Sequence, residues 1–464
     1  MIFFQQKVYP YLPVQLQNFA ISVFGYHWQR RRFGGIFKQE LVEFKKRESF
    51  SKQQWELYQV QQLRDLLVHS YNTVSYYKQL FDSSGLNPAK LKAFELSDLK
   101  TIPLLEKNTL RRLGKTDLIS SEREPGGTFF SSSGSTGTPV NILFSLKTHQ
   151  KISAIYEARV RNWAGIKYTD SRAMIGGRRI VPTADANPPY YRYNFFEKQL
   201  YFSAYHLSKT NAENYFEGLR KYKPAYIVGY ATSNYILAKY FRESGLVPPK
   251  MKAVLTSSEK LTNEMRKVLM DVYQCKVYDA WSGVEWCGLI SENEYGQLLI
   301  SPDCAIVEVI KGDGTHALPG EEGELVCTGF LNFDQPLIRY RIGDRVKLAK
   351  DQTAKCGRNF PVVEEIIGRN EEVVVGADGR QMVRFHGVFL DLPNVMRAQV
   401  VQDSLHDFTV NVETDGLTND ERESIKKRLE SQLGKIHLQI NEVKQIPVGN
   451  NGKFKAVISK VKSL

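Results

Sequence analysis

Between Ser51 and Leu113 the hydrophobic positions recur every three or four residues, as in the run from Trp55 to Leu63 and on through Leu66 and Leu67, which predicts a helical preface. From Thr128 to about Ile367 short apolar runs alternate with amphipathic ones. Ala225–Tyr230, Ala253–Thr256 and Lys276–Ala280 read as strands bracketing helices, a pattern that places ligand-bearing loops at strand ends. From Ala305 to Val346 strands dominate, with turn signals at Gly312-Asp313-Gly314 and Pro319-Gly320, so an antiparallel sheet or small barrel is expected there. The last hundred residues predict strands at Ala398–Gln402 and Asp407–Glu413, a charged helix at Asn419–Leu433, and strands at Gln439–Val443 and near Val457. The expected fold class is α/β: a large multi-layer N-terminal domain (1–368) with an antiparallel sub-barrel, and a small α+β C-terminal domain (369–464). The polar break Gly368-Arg369-Asn370-Glu371-Glu372 marks the junction. Within the large domain, 1–50 form an arm and 51–120 the helical preface, and no internal repeat is evident.

In the segment from Met1 to Phe37, Phe3, Phe4, Tyr9, Tyr11, Leu12, Phe19, Ile21, Val23, Phe24, Tyr26 and Trp28 stand with the cluster Arg30-Arg31-Arg32. Aromatics next to a basic cluster suit an anionic membrane surface. Pro10 and Pro13 interrupt the periodicity, so an extended arm packed on the main domain, with its arginines in solvent, is the expectation.

A chain of 464 residues exceeds what one hydrophobic core supports, and 42% hydrophobic content is enough to fill two. The formal charge of +13 points to an anionic partner. No zinc-finger spacing or RNA-binding signature accompanies it, so a nucleotide or polyphosphate fits better than nucleic acid. Five widely spaced cysteines make no disulfide framework and no C-x-x-C metal site, consistent with reduced thiols and a cytoplasmic location. No signal peptide and no apolar run long enough to span a bilayer is seen.

The densest chemical signal is Ser131-Ser132-Ser133-Gly134-Ser135-Thr136-Gly137-Thr138-Pro139. Glycines let backbone N–H groups converge on phosphate oxygens, and hydroxyls add donors that can follow a phosphate as it moves. The order is not that of the P-loop, since no Lys follows the second glycine. A flexible linker is the alternative, but predicted strands on both sides, 126–130 and 140–144, argue for a structured turn.

Four further polar clusters follow. Tyr278-Asp279-Ala280-Trp281-Ser282-Gly283-Val284-Glu285 ends a strand in a turn carrying a carboxylate suited to magnesium on a triphosphate. In Pro336–Asp344 an acidic side chain follows a glycine turn and offers two acceptors to the vicinal hydroxyls of a ribose. Gly368-Arg369 lies at the domain junction, and Gly449-Asn450-Asn451-Gly452-Lys453 is a Gly/Asn loop presenting one cation. Each has an ordinary counterpart: Glu285 as a surface carboxylate, Asp344 as a turn former, Lys453 as a hairpin lysine.

Taken in order over roughly 57–461, these pieces resemble the adenylate-forming superfamily, nearest its phenylacetate-CoA ligase branch and the relatives found with capsular polysaccharide biosynthesis. The resemblance implies that Ser132, Ser133, Gly134, Ser135, Thr136 and Gly137 wrap the β- and γ-phosphates. It implies further that Glu285 ligates magnesium and that Asp344 holds the ribose. Ser257, Ser258 and Glu259, with Asp279, Ala280, Trp281 and Ser282, would wall the adenine. Arg369 would touch ribose or phosphate at a hinge, and Lys453, on a mobile lid, would bridge the substrate carboxylate and the α-phosphate. Tyr205, His206, Gly229 and Tyr230 would bound a pocket for a modest acid; His206 and His149 read as structural or pocket-lining rather than as bases. The family's aspartate pair after Gly-Arg is here Glu371-Glu372, and Ile290–Gly296 lacks Cys or His, so no zinc is expected.

The implied function is an ATP- and magnesium-dependent ligase that activates a small carboxylic acid and passes it to CoA or to an amine or amino-sugar acceptor. It would work without nucleic acid, as a monomer or homodimer, cytoplasmic and in peripheral contact with the inner membrane if the arm engages it. The alternative is a non-catalytic nucleotide-binding or membrane-associated assembly factor that keeps the fold.

Overall fold

The computed structural model describes residues 8–131, 139–176, 180–181, 187–367, 374–376, 381–382, 386–389, 392–395, 397–444, 446 and 457–461. It opens on helices α1 (Val14–Phe33) and α2 (Phe37–Arg47), so the N-terminal segment is helical and not an extended arm. Pro13 is the N-cap of α1 and Pro10 sits in the turn before it: the prolines start the helix instead of interrupting it. Nor do all three arginines face water. Arg31 donates to His149 Nδ1 (3.1 Å) and to the Phe144 carbonyl (2.8 Å), and Arg32 pairs with the buried carboxylate of Glu197. The predicted preface is present as α3 (Lys52–Thr73), α4 (Ser75–Ser83), α5 (Pro88–Lys92) and α6 (Lys107–Leu113). Helix α3 starts on a capping box between Ser51 and Gln54 and buries Trp55, Leu63, Leu66 and Leu67.

Next comes an antiparallel hairpin, β1 (Thr128–Ser131) and β2 (Asn141–Phe144), flanking the Ser/Gly run as expected, and then α7 (Leu146–Tyr156). The body of the molecule is a twelve-stranded sheet. Its strands are β3 (Arg172–Gly176), β4 (Tyr191–Asn194), β5 (Gln199–Ser203), β6 (Tyr226–Tyr230), β7 (Ala253–Ser257), β8 (Lys276–Trp281), β9 (Ile290–Glu292), β10 (Leu298–Ile300), β11 (Ala305–Ile310), β12 (Glu322–Gly329), β13 (Tyr340–Leu348) and β14 (Val362–Ile366). Their order across the sheet is β11-β12-β13-β14-β10-β9-β8-β7-β6-β3-β5-β4. Strands β5, β3, β6, β7 and β8 are parallel, and α8 (Ala212–Tyr222), α9 (Ala231–Glu243) and α10 (Asn263–Tyr273) lie between them in the chain. From β8 to β9 the pairing turns antiparallel and stays so to β11. The strands expected to form a sub-barrel are thus the antiparallel wing of this one sheet; β9, β10 and β14 join it to the parallel half.

The C-terminal residues form a separate four-stranded sheet in the order β19-β18-β17-β20, from β17 (Arg397–Gln402), β18 (Asp407–Glu413), β19 (His437–Val443) and β20 (Val457–Ser459), preceded by the two-stranded β15 (Val374–Val375) and β16 (Gln381–Met382). Helices α11 (His386–Phe389) and α12 (Asn419–Leu433) accompany it, and Val400, Phe408, Val410, Val412, Ile425 and Leu429 make its own core. The junction expected at 368–372 lies outside the described residues.

Candidate active site

A cleft of 2180 Å³ opens at the carboxyl ends of β6, β7 and β8, where the sheet changes from parallel to antiparallel. This is where an open α/β sheet receives ligands. Tyr230, Ser258, Glu259, Asp279, Ala280, Trp281, Ser282, Glu285 and Asp344 all line it, as does Ser131, the last described residue before the Ser/Gly run. Residues expected to serve one ligand but spread over two hundred positions therefore meet in one space.

Strand β8 presents the expected adenine-side residues. Register pairs Thr256 with Asp279 and Ser257 with Ala280. Asp279 accepts from the Thr256 hydroxyl (3.0 Å) and the Ala280 N–H (3.0 Å), and burial pushes its carboxyl up to about 6. The indole N–H of Trp281 donates to Asp344 Oδ2 at 3.1 Å, tying the end of β8 to β13. Ser258 turns out of β7 with φ +74°, a left-handed conformation costly for a residue with a Cβ and frequent at functional loops. Beside it Glu259 accepts from the Thr232 N–H (2.9 Å), so this carboxylate also caps α9.

Glu285 is buried, 4% exposed, and accepts from Tyr340 Oη at 3.1 Å. A Cβ at position 283 would lie 2.3 Å from its carboxylate, so Gly283 is what lets the turn fold back over it. Lys107 Nζ stands 4.0 Å from Glu285 Oε1. The sequence reading missed this lysine, and the chain brings it here by a strap. Leu105 N–H donates to Arg339 O, Arg341 N–H donates to Leu105 O (both 3.0 Å), and the buried Arg339 grips Glu308 with two bonds of 2.9 Å while donating to the Ile102 carbonyl (2.6 Å). Lys107 and Arg111, four apart on α6, both line the cleft while Leu110 is buried. That spacing was readable from the sequence; which way the helix faced was not.

The hairpin carrying the Ser/Gly run is pinned at its base by the segment just before β13. Buried Gln335 accepts from Leu143 N–H (2.6 Å) and donates to Gly114 O (2.8 Å) and Asn141 O (3.3 Å). Asn332 donates to Leu143 O (3.0 Å), and Asp334 accepts from the Thr148 hydroxyl (3.1 Å) and the Glu124 N–H (3.0 Å). The polar residues Asn332, Asp334 and Gln335 carried no weight in the sequence reading, yet they fix the β1–β2 hairpin relative to the strand bearing Asp344.

Other expected residues sit elsewhere or cannot be placed. Ser257 pairs within β7 and does not line the cleft. Gly229, with φ +153°, takes the sheet closest to β3: a Cβ there would fall 1.8 Å from the Ile175 carbonyl oxygen. His206 is buried, bonded through Nδ1 to Ser203 Oγ (2.7 Å) and stacked on Tyr190 at 4.6 Å, away from the cleft lining. Tyr205 lies in a short turn with Ala204 and His206, and its side chain is outside the described residues. So are Ser132, Ser133, Gly134, Ser135, Thr136, Gly137, Arg369 and Lys453.

Residues 376–460 match the family model described as the CapK C-terminal domain. Among solved structures, 2-hydroxyisobutyryl-CoA ligase in complex with 2-HIB-AMP and CoA in its thioesterification state aligns with a TM-score of 0.59 at 18% identity, covering 89% of this chain and 91% of that one. The fold is that of the adenylate-forming CoA ligases. The chain is 23% identical to Protein CapK of Staphylococcus aureus over 98% of its own length and 99% of that protein, and 26% identical to phenylacetate-coenzyme A ligase of Aromatoleum evansii over 71% and 73% respectively. The chain is thus similar to CapK and to the phenylacetate-CoA ligases, the resemblance its motifs implied.

Proposed function

We propose that this chain is an AMP-forming acid–thiol ligase acting on a small carboxylic acid. The acid's oxygen attacks the α-phosphorus of ATP, the bond from that phosphorus to the bridging oxygen breaks, and pyrophosphate leaves. The acceptor thiol then attacks the acyl carbon and AMP departs. The observation that carries the reading is one cleft lined by Asp344, Glu285, the β8 end and the residue preceding the Ser/Gly run. In it Asp344, oriented by Trp281, binds the ribose hydroxyls, and Asp279 to Ser282 flank the base. Glu285 fits a magnesium carried by a triphosphate, since such an ion takes few carboxylates from a protein and Glu285 is buried with an orienting hydroxyl. When bound, the metal supplies positive charge to the leaving pyrophosphate. Lys107 adds a second positive charge in the cleft, and Lys453 is the cation for the α-phosphate.

CoA is the acceptor best supported, because the relatives are named for it. An amine or amino-sugar acceptor, in surface polysaccharide synthesis, is the second reading and rests on the resemblance of the motifs alone. Pyrophosphate release measured over a panel of carboxylic acids tests the first step; release with at least one acid, lost in Lys453→Ala, is the expected result. No release with any acid, together with no ATP binding, would remove the proposal. AMP formation with and without CoA then separates the acceptors.

A further inference from the structure

Helix α1 buries polar residues and exposes apolar ones. Beside Ile21, Trp28 and Phe33, its inward side carries Gln17, Asn18, Ser22, Gly25 and Arg32, whereas Leu16, Phe19, Val23 and Phe24 point to solvent, Phe19 being 66% exposed. The reason is its neighbour. α1 covers β4, the edge strand of the twelve-stranded sheet, and an edge offers backbone hydrogen-bonding groups instead of apolar side chains. Asn18 Oδ1 accepts from Tyr193 N–H (2.9 Å), Ser22 Oγ accepts from Phe195 N–H (3.0 Å), Arg192 donates to Gln17 Oε1 (2.5 Å), and a Cβ at Gly25 would strike the Asn194 amide. Sealing the edge takes these polar residues and leaves Leu16, Phe19, Val23 and Phe24 uncovered.

That face continues into the turn after β4. Phe195 (63% exposed) and Phe196 project there, Phe196 lies 5.1 Å from Tyr26, and Arg30 sits over Tyr26 at 4.7 Å. Lys198 is exposed in the same turn. The segments that make the face carry exposed charge of one sign: 1–39 contain no Asp or Glu, and Glu197 of the turn is buried between Arg32 and Arg172. Large apolar patches on soluble surfaces mark interaction sites, and aromatic side chains rimmed by Arg and Lys match the interface of a bilayer carrying anionic headgroups. Two copies meeting through this face would instead bring like charges together. Among the described residues no helix is long and apolar enough to cross a membrane, so contact would lie in the surface plane.

We propose that α1 together with the Phe195–Lys198 turn is a docking surface for an anionic lipid bilayer. It stands apart from the ligase reading, since none of these residues lines the cleft. The test is co-sedimentation of the full chain with phosphatidylcholine vesicles with and without phosphatidylglycerol. Pelleting with the anionic vesicles alone, weakened by salt, is expected. Phe19→Ser/Phe196→Ser should lower partition about tenfold or more, because both rings leave the interface. Arg30→Glu/Lys198→Glu should do so about tenfold through charge, with thermal midpoints unchanged in both variants. Equal pelleting with neutral vesicles, or none with either, overturns the proposal. So does a dimer in sedimentation velocity that Phe19→Ser/Phe196→Ser returns to monomer without lipid binding, since a second copy would then cover the face.

Discussion

Trp281 and Asp344, 63 residues apart, meet in a 3.1 Å hydrogen bond from the indole N–H to the carboxylate, joining the last parallel strand of the sheet to its antiparallel wing. The bond fixes the plane of the carboxylate at the wall of the cleft. Asp344→Asn should raise the KM for ATP about 10- to 100-fold, the range expected when hydrogen bonds to a charged acceptor are lost. Trp281→Phe, which keeps the ring and removes the donor, should raise it about fivefold. Initial rates of pyrophosphate release against ATP concentration check both.

Glu285→Gln keeps the shape of the buried side chain and removes its charge. Its expected effect is a rate loss of about 100-fold with a magnesium saturation curve displaced to higher concentration, because the carboxylate is assigned to the metal. A loss that leaves the magnesium dependence where it was would assign Glu285 to holding Tyr340 and Lys107 in place.

Gln335→Ala strips partners from buried backbone groups at Leu143 and Gly114. Each unpaired group costs about 1–3 kcal/mol, so the denaturation midpoint should fall measurably. The β1–β2 hairpin loses its anchor at the same time, and the KM for ATP should rise even at temperatures where the variant is fully folded.

His149 lies buried against Arg31 and Arg32, and burial together with those two charges lowers its pKa from 6.5 to about 3. The unfolded chain takes up this proton at ordinary pH and the folded one does not, so this site's contribution is complete above pH 6.5 and lost as the pH falls. Between pH 7.5 and 5.5 the loss should be about 1.4 kcal/mol, and His149→Asn, which keeps an acceptor for Arg31, should flatten it. Urea unfolding at the two pH values measures the difference.

Much of the fold was legible because local rules agree with the tertiary structure. The predicted spans 407–413 and 419–433 match β18 and α12 residue for residue, since alternation marks the strand and Thr418 with Glu421 builds a capping box at the helix start. The strands on both sides of the Ser/Gly run, and the three before and after α9 and α10, were read from short apolar runs to within one or two residues at their ends. The N-terminal segment failed for an identifiable reason. Pro10 and Pro13 read as breaks in the pattern, whereas they lie just before the helix and at its N-cap, and the apolar residues of α1 are spread round it, Phe19, Val23 and Phe24 facing outward, so no single buried stripe marks it.

What the sequence by itself determined was chemistry and local conformation: a hydroxyl- and glycine-rich stretch between two strands, a carboxylate after a glycine turn, and the caps and periods that start and stop elements such as α3 and α12. These depend on neighbours within a few residues, so they are written along the chain. The tertiary structure alone decided that Lys107 reaches Glu285, that Gln335 holds the β1–β2 hairpin, that the supposed barrel continues the main sheet, and that α1 buries Gln17, Ser22 and Gly25 while Phe19 stays exposed. Each of these is a contact between segments far apart, chosen by which backbone groups needed partners once the sheet had formed, and no local pattern encodes that choice.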